Sequence, residues 1–293
     1  MITISEYRKK FKKDAEPKWE EYTVQKIVYT DLDGTLIDHH TYSYADSLES
    51  INLLKNKKIP IVICTSKTRT EIEKYRKELN IKDPFISENG GAIFIPNNYF
   101  DFDFNYDEET HDYKIIELGT PIKFLKYALN KIKKKGYKLT AFSDMSPEEL
   151  SEDSGLTIED ATDAKKREYD EAFKIDDERT DEILKLIEKE GYNHTAGGRY
   201  CHILSGNDKG KAVLILKELF SKKYKEEEKD IQTIGLGDSS NDIPMLQVVD
   251  VPILVKNPSN PELDVDFPVK KTKLPGPKGW NNAIKELFLQ PVK

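Results

Sequence analysis

The sequence is short of thiols, of long apolar runs and of excess positive charge, and each shortage removes a class of function. Cys64 and Cys201 are its two cysteines, far apart and in no metal-ligand spacing. Neither a disulfide framework nor a thiolate zinc site is expected. No stretch approaches the roughly 20 apolar residues that cross a bilayer, and residues 1–21 are charged and hold no apolar signal core. No membrane partner is expected, and the cytoplasm is the expected location. The formal net charge is −7 with Lys and Arg spread throughout, which argues against an overall attraction to nucleic acid. His39, His40, His111 and His194 show no ligand spacing and read as surface residues. No internal repeat or long low-complexity segment is visible.

What remains is a chain of 293 residues, 37% hydrophobic and 34% charged, long enough for one large domain or two modest ones. Residues 1–25 read as an N-terminal extension, a short solvated helix or an arm. Apolar strands at 27–30, 59–64 and 84–87 alternate with helical stretches at 45–57 and 70–79, the rhythm of a parallel sheet with crossover helices. A hairpin is expected over 92–104 around Pro96-Asn97-Asn98. Residues 107–204 change to an α+β rhythm. The parallel pattern then resumes, with a helix over 208–220, a Lys- and Glu-rich solvated turn at 222–229, strands near 231–236 and 251–255, and a closing helix over 279–288. The expected fold class is α/β: a Rossmann-like parallel sheet built from 26–106 and 205–293, with 107–204 inserted as an α+β domain.

Two stretches carry chemistry. Ile27-Val28-Tyr29-Thr30 has the composition of a buried strand and runs into Asp31-Leu32-Asp33-Gly34-Thr35. An apolar strand that delivers two acids to its carboxyl end, with a glycine to permit a sharp departure, is where open α/β sheets place their sites. Ile234-Gly235-Leu236 runs likewise into Gly237-Asp238-Ser239-Ser240-Asn241-Asp242. Asp238 and Asp242 offer hard oxygen donors suited to Mg²⁺; the competing reading is that Asp238 caps the helix that follows.

These stretches, with Ile61-Val62-Ile63-Cys64-Thr65 and Asn207-Asp208-Lys209-Gly210-Lys211-Ala212 between them, resemble in order the four motifs of the haloacid dehalogenase-like phosphatases. The resemblance implies a core sheet with a cap inserted between the second and third motifs, and Mg²⁺ as cofactor. It makes Asp31 the nucleophile that forms an aspartyl-phosphate and Asp33 the general acid and base. Thr65, with Ser66 as rival, would hold a phosphoryl oxygen beside a helix start. Lys209, rather than Lys211, would neutralise the charge. Asp31, the Asp33 main-chain carbonyl, Asp238 and Asp242 would hold the metal.

Within that family the insert resembles the Cof-like branch, and the details are similar to the mannosyl-3-phosphoglycerate phosphatases. The matching residues are Cys64 to Arg69, Glu88-Asn89-Gly90-Gly91, Lys166-Arg167-Glu168-Tyr169 and Gly197-Gly198-Arg199-Tyr200-Cys201-His202. Substrate contacts are expected from Thr65, Ser66, Lys67, Asn89, Gly90, Arg167, Glu168, Gly198, Arg199, His202 and Asn241. Arg167 and Arg199 suit a carboxylate, while Asn89, Glu168 and His202 suit sugar hydroxyls. Each also has a plainer reading: Arg167 on a solvated cationic face, His202 as a satisfied core histidine, Glu168 paired with a lysine. The expected reaction is hydrolysis of mannosyl-3-phosphoglycerate to mannosylglycerate, a compatible solute, and phosphate. A glucosyl or mannosylglucosyl analogue, another sugar phosphatase, a phosphomutase and a non-catalytic sugar-phosphate sensor are the alternatives. The expected partner is a small phosphorylated sugar acid, with a homodimer left open.

Overall fold

The computed structural model describes residues 24–197, 200–227 and 229–289, so the extension expected at 1–25 lies almost wholly outside the described residues. In chain order β1 (Gln25–Thr30), α1 (Leu48–Asn56), β2 (Ile61–Cys64), α2 (Arg69–Glu78), β3 (Phe85–Ser87), β4 (Ala92–Pro96), β5 (Glu108–Glu109) and β6 (Tyr113–Glu117) come first. Then come α3 (Ile122–Lys134), β7 (Leu139–Ala141), α4 (Pro147–Ser154), α5 (Ile158–Ala164), β8 (Glu171–Ile175), α6 (Thr180–Lys189), β9 (Asn193–Gly197) and β10 (Tyr200–Leu204). The last run is α7 (Lys209–Glu226), β11 (Ile231–Gly237), α8 (Ile243–Val248), β12 (Val251–Lys256), β13 (Lys270–Pro275) and α9 (Gly276–Phe288).

The strands form a nine-stranded sheet ordered β13-β12-β11-β1-β2-β3-β4-β6-β5 and a four-stranded sheet ordered β7-β8-β10-β9. From β13 to β3 every pairing in the larger sheet is parallel. The two-residue alternation of strand side chains sorts its core into two layers. Val28, Ile61 and Ile63 face one side with Ile51, Leu54, Trp280 and Ile284 of α1 and α9. Ile27, Tyr29, Val62 and Cys64 face the other with Val213, Leu216, Phe220 and Met245 of α7 and α8. The buried Trp280 also donates Nε1–H to Thr30 Oγ1 at 3.0 Å, which ties α9 to the end of β1. With both faces covered, the chemistry is confined to the strand ends.

The four-stranded sheet is antiparallel throughout. One face packs on α3 and α6 through Leu125, Leu129, Ile132, Ile183 and Ile187. The opposite face carries Phe142, Met145, Leu150 and Ala161 beneath α4 and α5.

Two expectations are corrected, and one strand was not foreseen. The hairpin expected over 92–104 is absent; β4 pairs with β6 instead, so 108–117 extend the larger sheet rather than opening the insert. Phe100, Phe102 and Phe104 pack as a ring cluster instead, and the Phe100 ring lies 5.5 Å from the Phe220 ring. The helix expected to end at Phe220 runs on to Glu226, because buried Tyr224 continues its apolar stripe. Finally, β13 was not expected, since Lys270-Lys271-Thr272-Lys273 carries no apolar alternation.

Candidate active site

Thr30 and Leu236 are register partners, so Asp31 and Asp238, just past the carboxyl ends of β1 and β11, emerge side by side. The Asp31 amide donates to the Leu236 carbonyl at 2.9 Å. The chain then turns through Gly34 at φ +72°, and a Cβ there would stand 2.5 Å from Asp238 Oδ2. Glycine is therefore required on both conformational and steric grounds. Asp238 is oriented by Thr35, whose hydroxyl donates to Oδ1 at 3.1 Å, and by Asn257, whose Nδ2 donates to Oδ2 at 2.7 Å.

Lys209, in the first turn of α7, is wholly buried. Its ammonium donates to Asp31 Oδ1 at 2.8 Å and Asp242 Oδ1 at 2.6 Å. Burial works against that charge, but the Asp242 and Asp31 carboxylates hold its pKa well above the ordinary lysine value. Lys211 is exposed and reaches Asp208. Asp242 Oδ2 accepts the amides of Asp238 at 2.9 Å and Ser239 at 3.0 Å, so both its oxygens are engaged. The helix-capping role considered for Asp238 falls instead to Ser239.

Carboxylate oxygens of Asp31, Asp238 and Asp242 lie within 4.8 Å of one another, and all three residues are buried. Three carboxylates thus share one ammonium. Burial pushes Asp31 up to about 7, opposed by Lys209 and reinforced by Asp242 and Asp33. Burial, with Asp242 and Asp31 adding to it, raises Asp238 well above the usual range. An uncompensated cluster of hard oxygen donors fits a divalent cation of the Mg²⁺ type.

Asp33 Oδ2 pairs with Lys67 Nζ at 3.1 Å, and Lys67 also meets Glu71 Oε1 at 3.2 Å. Asp33 Oδ1 is buried without a partner among the described residues. The N-cap of α2 is Thr68, which shares a capping box with Glu71.

A cavity of about 660 Å³ opens over this floor. Asp31, Asp33, Ser66, Lys67, Asp238 and Asn241 line it from the larger sheet; Phe142, Leu156, Arg167, Tyr200 and His202 line it from the opposite side. His39 and His40, expected simply as surface residues, are exposed but form part of its wall. Thr65 is fully buried and outside that lining, whereas its rival Ser66 is in it.

Three further expected substrate contacts, besides Thr65, are placed elsewhere. Asn89 is a buried bridge: Nδ2 donates to Asp170 Oδ2 at 2.8 Å, and Oδ1 accepts from Asn241 Nδ2 at 2.9 Å. Gly90, at φ +84°, lets its turn abut the start of α7, where a Cβ would stand 2.2 Å from the Asp208 carbonyl oxygen. Glu168 meets the Arg69 guanidinium at 3.4 Å and is outside the cavity lining. Gly198 and Arg199 lie outside the described residues. Sequence reasoning did not single out Glu88, Asp170 or Asn257. Asp170 directly follows Lys166-Arg167-Glu168-Tyr169, and an acid beside that basic run was the available signal. Asn257-Pro258 after an apolar strand was the signal for the third.

Comparison with known proteins agrees with this geometry. The sequence matches the haloacid dehalogenase-like hydrolase family over residues 28–263. It is 48% identical over 271 residues to a Methanococcoides burtonii protein named glucosyl-3-phosphoglycerate/mannosyl-3-phosphoglycerate phosphatase, covering 90% of this chain and 98% of that one. A Persephonella marina protein of the same name is 43% identical over 261 residues, covering 88% and 95%. Among solved structures, a Thermoplasma acidophilum protein superposes with a TM-score of 0.65 at 21% identity, covering 92% of this chain and all of the other, a likeness of fold. The chain belongs to the haloacid dehalogenase-like hydrolases.

Proposed function

We propose that this protein is a Mg²⁺-dependent phosphomonoesterase that hydrolyses mannosyl- and glucosyl-3-phosphoglycerate to the glycosylglycerate and phosphate. The observation that carries the reading is the pairing of Asp31 and Asp238 at the floor of a cavity, with buried Lys209 held against Asp31 beneath them and Arg167 and His202 on the far wall. The names of the two bacterial and archaeal relatives supply the substrate class. The segment from α3 to β10 is the cap that reads the leaving group.

In this mechanism Asp31 Oδ2, opposite the oxygen held by Lys209, attacks phosphorus in line as the ester P–O bond breaks. Asp33 delivers a proton to the departing alkoxide, then takes one from the water that cleaves the aspartyl-phosphate. Lys67 holds the Asp33 carboxylate in place between the steps. Lys209 offsets the charge of the approaching phosphate, and Asp242 fixes Lys209 and the Asp238 loop. Asp31, Asp238 and the Asp33 carbonyl would hold Mg²⁺, which when bound offsets negative charge on the transferring phosphoryl group. Asp242 thus becomes an anchor rather than a ligand.

The test is phosphate release with Mg²⁺ from mannosyl- and glucosyl-3-phosphoglycerate, sucrose phosphate, mannose phosphates and phosphoserine. A preference in kcat/KM of at least about tenfold for the two glycosyl phosphoglycerates is expected. Comparable rates across the panel would overturn the assignment of substrate, and a strict requirement for a sugar bisphosphate activator would favour a phosphomutase.

A further inference from the structure

Asp170 is fully buried and lies outside the cavity lining, yet it binds two residues that are in it. Its Oδ1 accepts from Arg167 Nε at 2.7 Å and Arg167 Nη2 at 2.5 Å. Both its oxygens face His202 Nδ1, at 3.0 and 3.1 Å. Oδ2 also accepts from Asn89 Nδ2, and Asn89 in turn accepts from Asn241 on the phosphate side of the cavity. Arg167 Nη2 spends its remaining reach on the Ser66 carbonyl at 2.7 Å. This leaves Arg167 Nη1 and His202 Nε2 without partners among the described residues.

The turn that carries Asp170 is itself held from the larger sheet. The Glu88 carboxylate accepts the amides of Glu168 at 2.9 Å, Tyr169 at 2.7 Å and Asp170 at 2.9 Å. A carboxylate offers about four acceptor positions, and Asp170 has filled them with three side chains from three segments. It has no capacity left for a ligand of its own. Its effect is on the orientation of its neighbours: a guanidinium with one donor edge to spare, and an imidazole held with its Nδ1 proton on the acid so that Nε2 is the free nitrogen.

We propose that Asp170 is the positioning residue for leaving-group recognition. It holds Arg167 Nη1 and His202 Nε2 as a matched pair for an anionic, hydroxyl-bearing group, and through Asn89 and Asn241 it sets their distance from the phosphoryl site. The proposal rests on the glycosyl-phosphoglycerate reading above. It goes beyond that reading in giving the selectivity to a residue that never touches the substrate.

The experiment compares kcat and KM of the full chain and its Asp170→Asn variant on glucosyl-3-phosphoglycerate and on p-nitrophenyl phosphate, which lacks both carboxylate and sugar. A displacement near 1 Å of positioned groups costs about 100-fold. The expected result is a rise of at least about tenfold in KM for the sugar acid, a much smaller loss on p-nitrophenyl phosphate, and a collapse of the ratio between the two. In a double-mutant cycle with His202→Ala, the two losses should overlap rather than add. A variant that keeps the wild-type ratio overturns the proposal. A wild-type enzyme with no preference for the sugar acid overturns the substrate reading instead. Should Asp170→Asn fail to fold, ¹⁵N-histidine spectra of the wild type decide: a proton on His202 Nδ1 is expected, and a bare Nδ1 overturns the proposal.

Discussion

Replacing Asp242 by asparagine separates an anchor from a metal ligand. Asp242 serves Lys209 at 2.6 Å with one oxygen and the Asp238 and Ser239 amides with the other. The asparagine keeps a single oxygen. Facing the amides, it turns its NH₂ towards the Lys209 ammonium; facing Lys209, it turns its NH₂ towards two N–H donors. Either way a buried donor goes unmet, and Lys209 loses one of its two carboxylates. Lys209 keeps Asp31, and losing the Asp242 charge eases the repulsion it exerts on Asp31 and Asp238, so the cost is that of one unmet buried donor, about 1–3 kcal/mol. At about 2–4 °C per kcal/mol for a chain near this size, the metal-free Tm should fall by about 2–12 °C. Turnover should drop by about 100-fold as Lys209 loses its fixed position. Mg²⁺ affinity, followed by calorimetric titration, should change by less than about tenfold, because the charge lost is not a ligand. A fall in Mg²⁺ affinity beyond about 100-fold with an unchanged metal-free Tm would refute the anchor assignment.

Other outcomes follow from the same geometry. Asp31 has its pKa pushed up to about 7 by burial in the metal-free protein, so the proton it carries at lower pH competes with Mg²⁺. Calorimetry should show affinity falling about tenfold between pH 8 and pH 6; a flat profile would contradict it. Gly34→Ala places a methyl 2.5 Å from Asp238 Oδ2 at a positive φ. The strain is about 1 kcal/mol, and the displaced carboxylate should weaken Mg²⁺ binding in titration well beyond what that strain explains. Burial alone would lift the Asp170 pKa, but Arg167 and His202 hold it below the usual carboxylate value of 3.8. A depressed folded pKa gives stability that is present above the unfolded value and is lost as pH falls through the folded one. Below about pH 4, chemical denaturation should therefore show wild-type stability falling more steeply than that of Asp170→Asn.

The core and the floor of the candidate site were legible because both rest on local signals. Each of β1, β2 and β11 closes on a buried, mostly apolar run with a polar residue next in the chain, Asp31, Thr65 and Asp238 in turn, and Lys209 opens a helix. The wall of the cavity opposite was less legible because its logic is tertiary. Arg167 and His202 are legible as polar candidates, but the sequence shows only that Asp170 lies near Arg167; its link to His202 needs β8 and β10 to pair. Asn89 and Glu168 suit a substrate chemically, but the fold ties Asn89 to Asp170 and Asn241 and turns Glu168 Oε1 to Arg69. The turn signal at Pro96-Asn97-Asn98 suggested a hairpin, but the aromatic residues after it pack as a ring cluster, with Tyr99 and Phe100 on Phe220. Lys-rich β13 gave no signal because an exposed edge strand needs no apolar face.

The proposed mechanism turns on covalent phosphorylation of Asp31. The most direct measurement is rapid acid quench of the Mg²⁺-loaded enzyme during turnover of mannosyl- or glucosyl-3-phosphoglycerate, followed by peptide mass spectrometry. A transient, base-labile phosphate is expected on the peptide carrying Asp31, absent from Asp31→Asn, which should also release no phosphate. Wild-type-like phosphate release by Asp31→Asn would contradict it.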